Sequence, residues 1–426
     1  MSNNFALRLR VRGEVSVDRM SAALRQIRVR HPALIPDGSA NGGIFPLSVK
    51  SDCGDDDWLA AAQAAMREPF PERSGPFARF VMLQYSHAPS ATSPSRDFAG
   101  QGFDLVASFD HSVCDGISGM YVLRDLLKAL ADPQATLVAM PVPGQTGALI
   151  PPAVLANRGL QRRLSLTAAG LRAQVLLAKW RRRLAPARPA GASSSPAPSA
   201  GELPLSGQYI ILPARLSAAQ TTGLLARCKK EQVSVHAAVC TAWLSALAGP
   251  SARSGIVSSP VNLRGRLSPP PSETAGLFLT TVETSLKCVP GQDFWDLARE
   301  FKAKFARDTR DEALFFKPLL YNKIFSQTAP TDRGLLVELL FNSPVAYDFS
   351  ITNLGRLVLP ERSGGLRVEA FNGPLVNSSE YERTVGVSTL GGQMSFSYMF
   401  RKSQTDPAAA GELMQRALVL LTQAAG

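Results

Sequence analysis

FDLVASFDHSVCDGISGMYVLRDLLKALAD, residues 103–132, changes periodicity across a short polar turn. Before the turn, FDLVASFD is apolar and rich in β-formers, which predicts a strand. After it, leucine and valine recur at the spacing of an amphipathic helix. HSVCDG, residues 111–116, is therefore expected between a strand end and a helix start, with His111 four residues ahead of Asp115. That position suits chemistry. Backbone N–H groups at a helix start stabilise developing negative charge, and a glycine at 116 lets a substrate come close to the main chain.

Working toward the N-terminus, FALRLRVRGEVS (5–16) sets Leu7, Leu9 and Val11 on one face and Arg8, Arg10 and Arg12 on the other, the pattern of a half-exposed strand. SVDRMSAALRQIRVRHPAL (16–34) follows as a helix with Val17, Met20, Leu24 and Ile27 on its apolar side, a Ser or Asp cap, and Pro32 at its end. ARFVMLQYS (78–86) predicts another strand, joined to the motif strand by a loop rich in Ser, Pro and Gly.

Working toward the C-terminus, no acidic residue occurs between Asp132 and Glu202. Within this stretch LQRRLSLTAAGLRAQVLLAKWRRRL (160–184) predicts a basic amphipathic helix. It either packs one face on the body and leaves the other to water, or docks a carrier or a membrane surface. APARPAGASSSPAPSAGELP (185–204) has the composition of a flexible linker. Strands and helices then alternate. GQYIILPARL (207–216), GIVSSPVNLRGRL (255–267), LFLTTVETSLKC (277–288), AYDFSITNLGRLVLP (346–360) and VGVSTLGGQMSFSYMF (385–400) predict strands. Helices are expected over 217–232, 234–249 and 408–425. The mixture predicts an α/β fold of two subdomains: 1–150, a crossover and linker over 151–204, and 205–426.

The chain has 426 residues, which at roughly 150 per domain agrees with about two to three units. No apolar run approaches the roughly 18 residues of a membrane span, and MSNNFALRLRVRGEV lacks the apolar block of a signal peptide, so the expected address is the cytoplasm. The five cysteines are scattered without a C-x-x-C pair, which argues against a disulfide framework or a zinc site; no metal is expected. A net charge of +12 favours an acidic partner: nucleic acid, anionic membrane, the phosphates of coenzyme A, or an acidic carrier protein. No nucleic-acid-binding motif accompanies the charge, so no nucleic acid partner is expected.

Four other segments keep company with the histidine motif: RHPAL at the end of the first helix, PVNLRGRL (260–267), TAGLFLTTV (274–282) and FSITNLGR (349–356). In this order and at this spacing they resemble the condensation-domain superfamily, which shares the chloramphenicol acetyltransferase fold. The likeness covers nearly the whole chain and is nearest to stand-alone polyketide-associated acyltransferases and alcohol acetyltransferases. It implies a pseudodimer whose halves enclose a channel, and acyl transfer from a coenzyme A or phosphopantetheine thioester to a hydroxyl or amine. The donor is then acyl-CoA or an acyl- or peptidyl-carrier protein, and no cofactor is needed.

The resemblance makes His111 the general base, has Asp115 pair with Arg264 to fix the loop, and gives Gly116 room and a main-chain donor for the oxyanion. Asp110, Ser118 and Asn353 become candidates for the channel wall. Most condensation domains carry a second histidine where this chain has Asp110. Asp110, Asp115 and Ser118 also match the pattern of heterocyclisation relatives, which lack a histidine at the position of His111. An assembly-line condensation enzyme and a non-catalytic recruiting relative remain the alternatives. Of the other histidines, His31 is expected as a helix-end residue, His236 as a packed one, and His87 in a polar loop facing water. Cys114 is expected as a small filler of a tight turn.

Overall fold

The computed structural model describes residues 4–36, 43–70, 75–85, 101–144, 146–184, 209–341, 347–377 and 383–426. The chain opens with β1 (Asn4–Arg12), α1 (Val17–Arg30), β2 (Leu47–Lys50), α2 (Asp57–Arg67), β3 (Ala78–Tyr85), β4 (Gly102–Asp110) and α3 (Gly116–Ala131). Short α4 (Pro152–Leu155) and long α5 (Arg158–Leu184) lead to the second half. There follow β5 (Tyr209–Arg215), α6 (Ala218–Lys230), α7 (Val235–Ala248), β6 (Arg253–Asn262), β7 (Leu279–Cys288), α8 (Phe294–Asp308), α9 (Asp311–Gln327) and α10 (Arg333–Phe341). The chain closes with β8 (Phe349–Arg356), β9 (Arg362–Ser363), β10 (Leu366–Asn377), β11 (Arg383–Leu390), β12 (Gln393–Arg401) and α11 (Pro407–Ala424). The expected linker, 185–204, and His87 lie outside the described residues.

Two six-stranded mixed sheets result, ordered β2-β3-β4-β1-β10-β9 and β5-β12-β11-β8-β6-β7. The sheets do not follow the expected division of the chain. β9 and β10 fall within 205–426, yet they complete the first sheet, β10 running antiparallel to β1. Near Gly373 and Pro374 the β1–β10 register shifts, so that Ala6 faces Leu375 while Arg8 faces Asn372. Gly373 takes a φ of +131°, a conformation open mainly to glycine. This bulge carries Pro374 against β11, where a Cβ on Gly386 would lie 2.4 Å from the Pro374 carbonyl oxygen. The missing side chain at 386 lets the two sheets touch.

β1 is a strand as expected, but it is not half exposed. Leu7, Leu9 and Val11 pack in the core formed with α1 and α3. The opposite face, with Ala6, is covered by α2 and by Tyr209, Ile211 and Met399 of the second sheet. Arg8 and Arg10 are therefore buried, each 5% exposed. Both donate to the Asp104 carboxylate from β4, Arg8 Nη2 at 2.9 Å and Arg10 Nη2 at 2.9 Å. Arg8 also reaches Asn372 Oδ1 at 2.8 Å, and Arg10 reaches Asp55 Oδ1 at 3.0 Å. Burial raises the Asp104 carboxyl, but the two arginines outweigh it and the net shift is downward.

The second sheet is backed by α6, α7, α8 and α11, whose apolar residues share one core with β6, β8, β11 and β12. The basic helix α5 lays Leu160, Leu164, Ala168 and Val175 on Leu320 and Ile324 of α9 and Leu336 of α10. Among the described residues no helix is long and apolar enough to cross a membrane, and no group of His, Cys, Asp and Glu is placed to hold a metal ion.

Candidate active site

The turn between β4 and α3 is built by its own polar side chains. Asp110 Oδ1 accepts from the Ser112 amide at 2.8 Å and the Ser112 hydroxyl at 2.7 Å, closing the start of the turn. Asp115 caps α3, its Oδ1 accepting from the Ser118 amide at 2.8 Å. Between these anchors Cys114 is fully buried, the small filler expected, and burial pushes its thiol up.

Among the described residues His111 is held at one nitrogen only. Its Nδ1 lies 3.0 Å from the Cys114 carbonyl oxygen, a partner that only accepts, so Nδ1 carries the proton and Nε2 is left with its lone pair. The ring leans on Phe5 of β1, centroids 4.9 Å apart. Burial lowers the imidazole pKa below its ordinary value; the Cys114 carbonyl and Asp115 oppose this without reversing it. His111 is thus neutral at pH 7 and able to accept a proton.

The ring borders a cavity of about 100 Å³ at the junction of the two halves. Phe5, His111, Gly116, Ile117 and Pro374 contribute from the first sheet and its turn. Asn262, Thr281, Ser350, Thr352 and Asn353 bring most of the polar atoms from the second. Gly116 begins α3, and a Cβ there would meet Leu354 Cδ2 at 3.2 Å, so this wall is already closely packed.

Asp115 and Arg264 pair as expected, Arg264 Nη1 donating to Asp115 Oδ2 at 2.8 Å, and both side chains are nearly inaccessible. The same Oδ2 accepts the Phe278 amide at 2.9 Å, and the Asp115 amide donates to the Gly276 carbonyl at 3.1 Å. The histidine turn is thereby bound to the 264–278 segment of the opposite half. Arg264 lies over the Phe278 ring, 4.7 Å from its centre, a further contact favourable to a cation.

Two expected channel residues lie elsewhere. Ser118 is fully buried; it accepts from Arg264 Nη2 at 2.6 Å and donates to the Gly276 carbonyl at 3.0 Å, so it belongs to the clasp. Asp110 spends its carboxylate on the turn and does not border the cavity. Asn353 does border it, with Oδ1 accepting the Gly355 amide at 2.8 Å. Asn262, Ser350 and Thr352 were not singled out, although they lie inside the quoted segments PVNLRGRL and FSITNLGR. Pro374 had no sequence signal, because its strand was not anticipated.

The other two described histidines, His31 and His236, make structural contacts. His31 ends α1 and sets Nε2 3.1 Å from Asp125, beside Arg30 and Arg124. His236 on α7 places Nε2 2.8 Å from the Ser259 hydroxyl, and burial lowers its pKa to about 4.

Residues 212–399 match the family described as phthiocerol/phthiodiolone dimycocerosyl transferase C-terminus. No curated protein matches the chain by sequence. Polyketide synthase associated protein 5 from Mycobacterium tuberculosis is similar in structure, with a TM-score of 0.58 at 19% identity, covering 100% of this chain and 94% of that one. A trichothecene 15-O-acetyltransferase from Fusarium sporotrichioides gives 0.68 at 11% identity over 99% of this chain and 91% of its own. The first condensation domain of the CDA synthetase gives 0.63 at 15% identity, over 99% of this chain and 90% of its own. Two six-stranded sheets clasped through Asp115 and Arg264, and these full-length likenesses, give the chain a chloramphenicol acetyltransferase-like fold, the fold it shares with these acetyltransferase and condensation-domain structures.

Proposed function

We propose that the protein is an acyltransferase that moves an acyl group from a thioester, acyl-CoA or acyl-carrier protein, to a hydroxyl or amine in natural-product or lipid biosynthesis. The observation that carries this reading is the placement of His111, its Nδ1 tied to Cys114 and its ring on the cavity between the halves. The matched transferase family and the acetyltransferase and condensation-domain likenesses support it.

In the proposed reaction Nε2 takes the acceptor's proton as its oxygen or nitrogen attacks the thioester carbonyl. The oxyanion forms near the start of α3, where the first N–H groups of a helix lack intrahelical partners and Gly116 offers no side chain to obstruct them. Collapse breaks the C–S bond, and the departing thiolate receives the proton from the imidazolium. The polar wall of Asn262, Thr281 and Asn353 is suited to orient a polar acceptor.

The test is intact-mass analysis of alcohol and amine acceptors incubated with acyl-CoA and with acyl-carrier protein. Acylated product is expected, and His111→Ala should lower turnover by about 10²- to 10⁴-fold with circular dichroism unchanged. Undiminished turnover in that variant, or binding of thioesters without turnover by the parent protein, overturns the reading.

A further inference from the structure

α5 is apolar on two sides, and its inward contacts account for only one. The outward side carries Leu166, Ala169, Ala173, Leu177 and Trp180, spaced three, four, four and three residues apart, a continuous stripe along the helix. Leu166 is 67% exposed, Leu177 45% and Trp180 60%, with Leu176 beside them at 66%. At 1.5 Å per residue the stripe runs straight for about 20 Å.

Charge restricts what can cover it. α5 carries eight basic residues and no acidic one. Lys179 is paired with Asp332 at 2.8 Å, whereas Arg158, Arg162 and Arg172 are exposed and have no carboxylate partner among the described residues. A second copy of the same stripe would bring like charges together. Residues 185–202, the chain that follows, contain no Val, Leu, Ile, Met or aromatic residue with which to mask the stripe.

We infer that α5 is a membrane-docking surface that lies flat on an anionic lipid bilayer. A straight apolar line flanked by arginine, with a tryptophan at one end, has the composition of a helix seated in the headgroup region, where indole is favoured. A compact acidic protein presents a rounded face and meets such a line only along part of its length. The inference rests on α5 alone and is independent of the acyl chemistry.

The full-length protein provides its own probe. Of its four tryptophans, Trp58, Trp243 and Trp295 are at most 5% exposed, so a change of surroundings on docking is reported by Trp180. Mixed with phosphatidylcholine/phosphatidylglycerol vesicles, the protein should sediment with them and its emission should shift to the blue; phosphatidylcholine alone should do neither. Replacing Arg158, Arg162 and Arg172 together by Gln should weaken vesicle binding roughly a hundredfold, from about 1 kcal/mol per basic residue near an anionic surface. Leu166→Ser with Leu177→Ser should abolish it while circular dichroism is unchanged. Failure to bind anionic vesicles overturns the inference, as does binding that leaves Trp180 emission and these variants unaffected. A blue shift elicited by acyl-carrier protein without lipid, or a concentration-dependent dimer that hides Trp180, in a protein that ignores vesicles, also overturns it.

Discussion

Asp104 and Asp115 are two buried aspartates held by arginine, one within β4 and the other just beyond its end. The partners of Asp104, Arg8 and Arg10, come from the neighbouring strand of the same sheet. The partner of Asp115 comes from the opposite half, and its other contacts bind Ser118, Gly276 and Phe278. The first cluster is internal to one layer and away from the cavity. The second fixes the histidine turn by reference to a distant segment, so the geometry at His111 depends on how the halves are joined. Similar charges in similar burial can therefore serve the fold alone or the fold and the site together, and what separates them is where the partner's chain comes from.

The comparison is broken most directly at Asp104. Asp104→Ala leaves two buried guanidinium groups without their shared carboxylate and should cost about 3–5 kcal/mol or more, read as a lower urea midpoint. Turnover per folded molecule should stay at the parent value; a fall in turnover with unchanged stability would erase the distinction. Asp115→Ala should cost about 3–5 kcal/mol as well, but here turnover of the folded fraction should fall too. Arg264→Lys sharpens the point with a smaller effect. An ammonium cannot span Asp115, the Ser118 hydroxyl and the Thr274 carbonyl as the guanidinium does. Stability should drop by about 1–3 kcal/mol and kcat should fall more than KM rises.

The smallest effect is in the pH profile. In the proposed reaction the reactive form of His111 is the neutral one, so activity should be lost as pH falls through its pKa, and burial lowers that pKa below the ordinary value near 6.5. In the parent protein kcat/KM should be flat at neutral pH and fall on the acid side with a midpoint below about 6.5. Loosening the turn with Arg264→Lys should move that midpoint upward as water reaches the ring. A midpoint in the parent at or above pH 7.5 would contradict the burial that lowers the imidazole pKa.

Much of this was legible in local pattern. The motif strand, the turn and α3 follow from apolar runs and a change of period, and Ser16, Asp115 and Ser234 cap their helices where side-chain chemistry places them. The Asp115–Arg264 pair was anticipated only because separate segments together resembled a family. β10 was not anticipated. LRVEAFNGPLVN carries Gly373 and Pro374 in its middle, which reads as a turn, whereas the structure absorbs them as a bulge and uses Pro374 to wall the cavity. Ser118 was placed on the channel by the resemblance alone. Spacing along α3 gave its position in the first turn but not the Arg264 side chain that turns it inward.

By itself the sequence determined which residues share a face and where chain direction changes, because side-chain periodicity and turn chemistry are local. It determined that β1 alternates leucine or valine with arginine, and that α5 is basic and amphipathic. Only the tertiary structure decided what covers each face: α2 and the edge of the second sheet bury Arg8 and Arg10, while the outer stripe of α5 stays open. Burial is set by what the chain brings back from far away, and a window of neighbouring residues holds no record of that return.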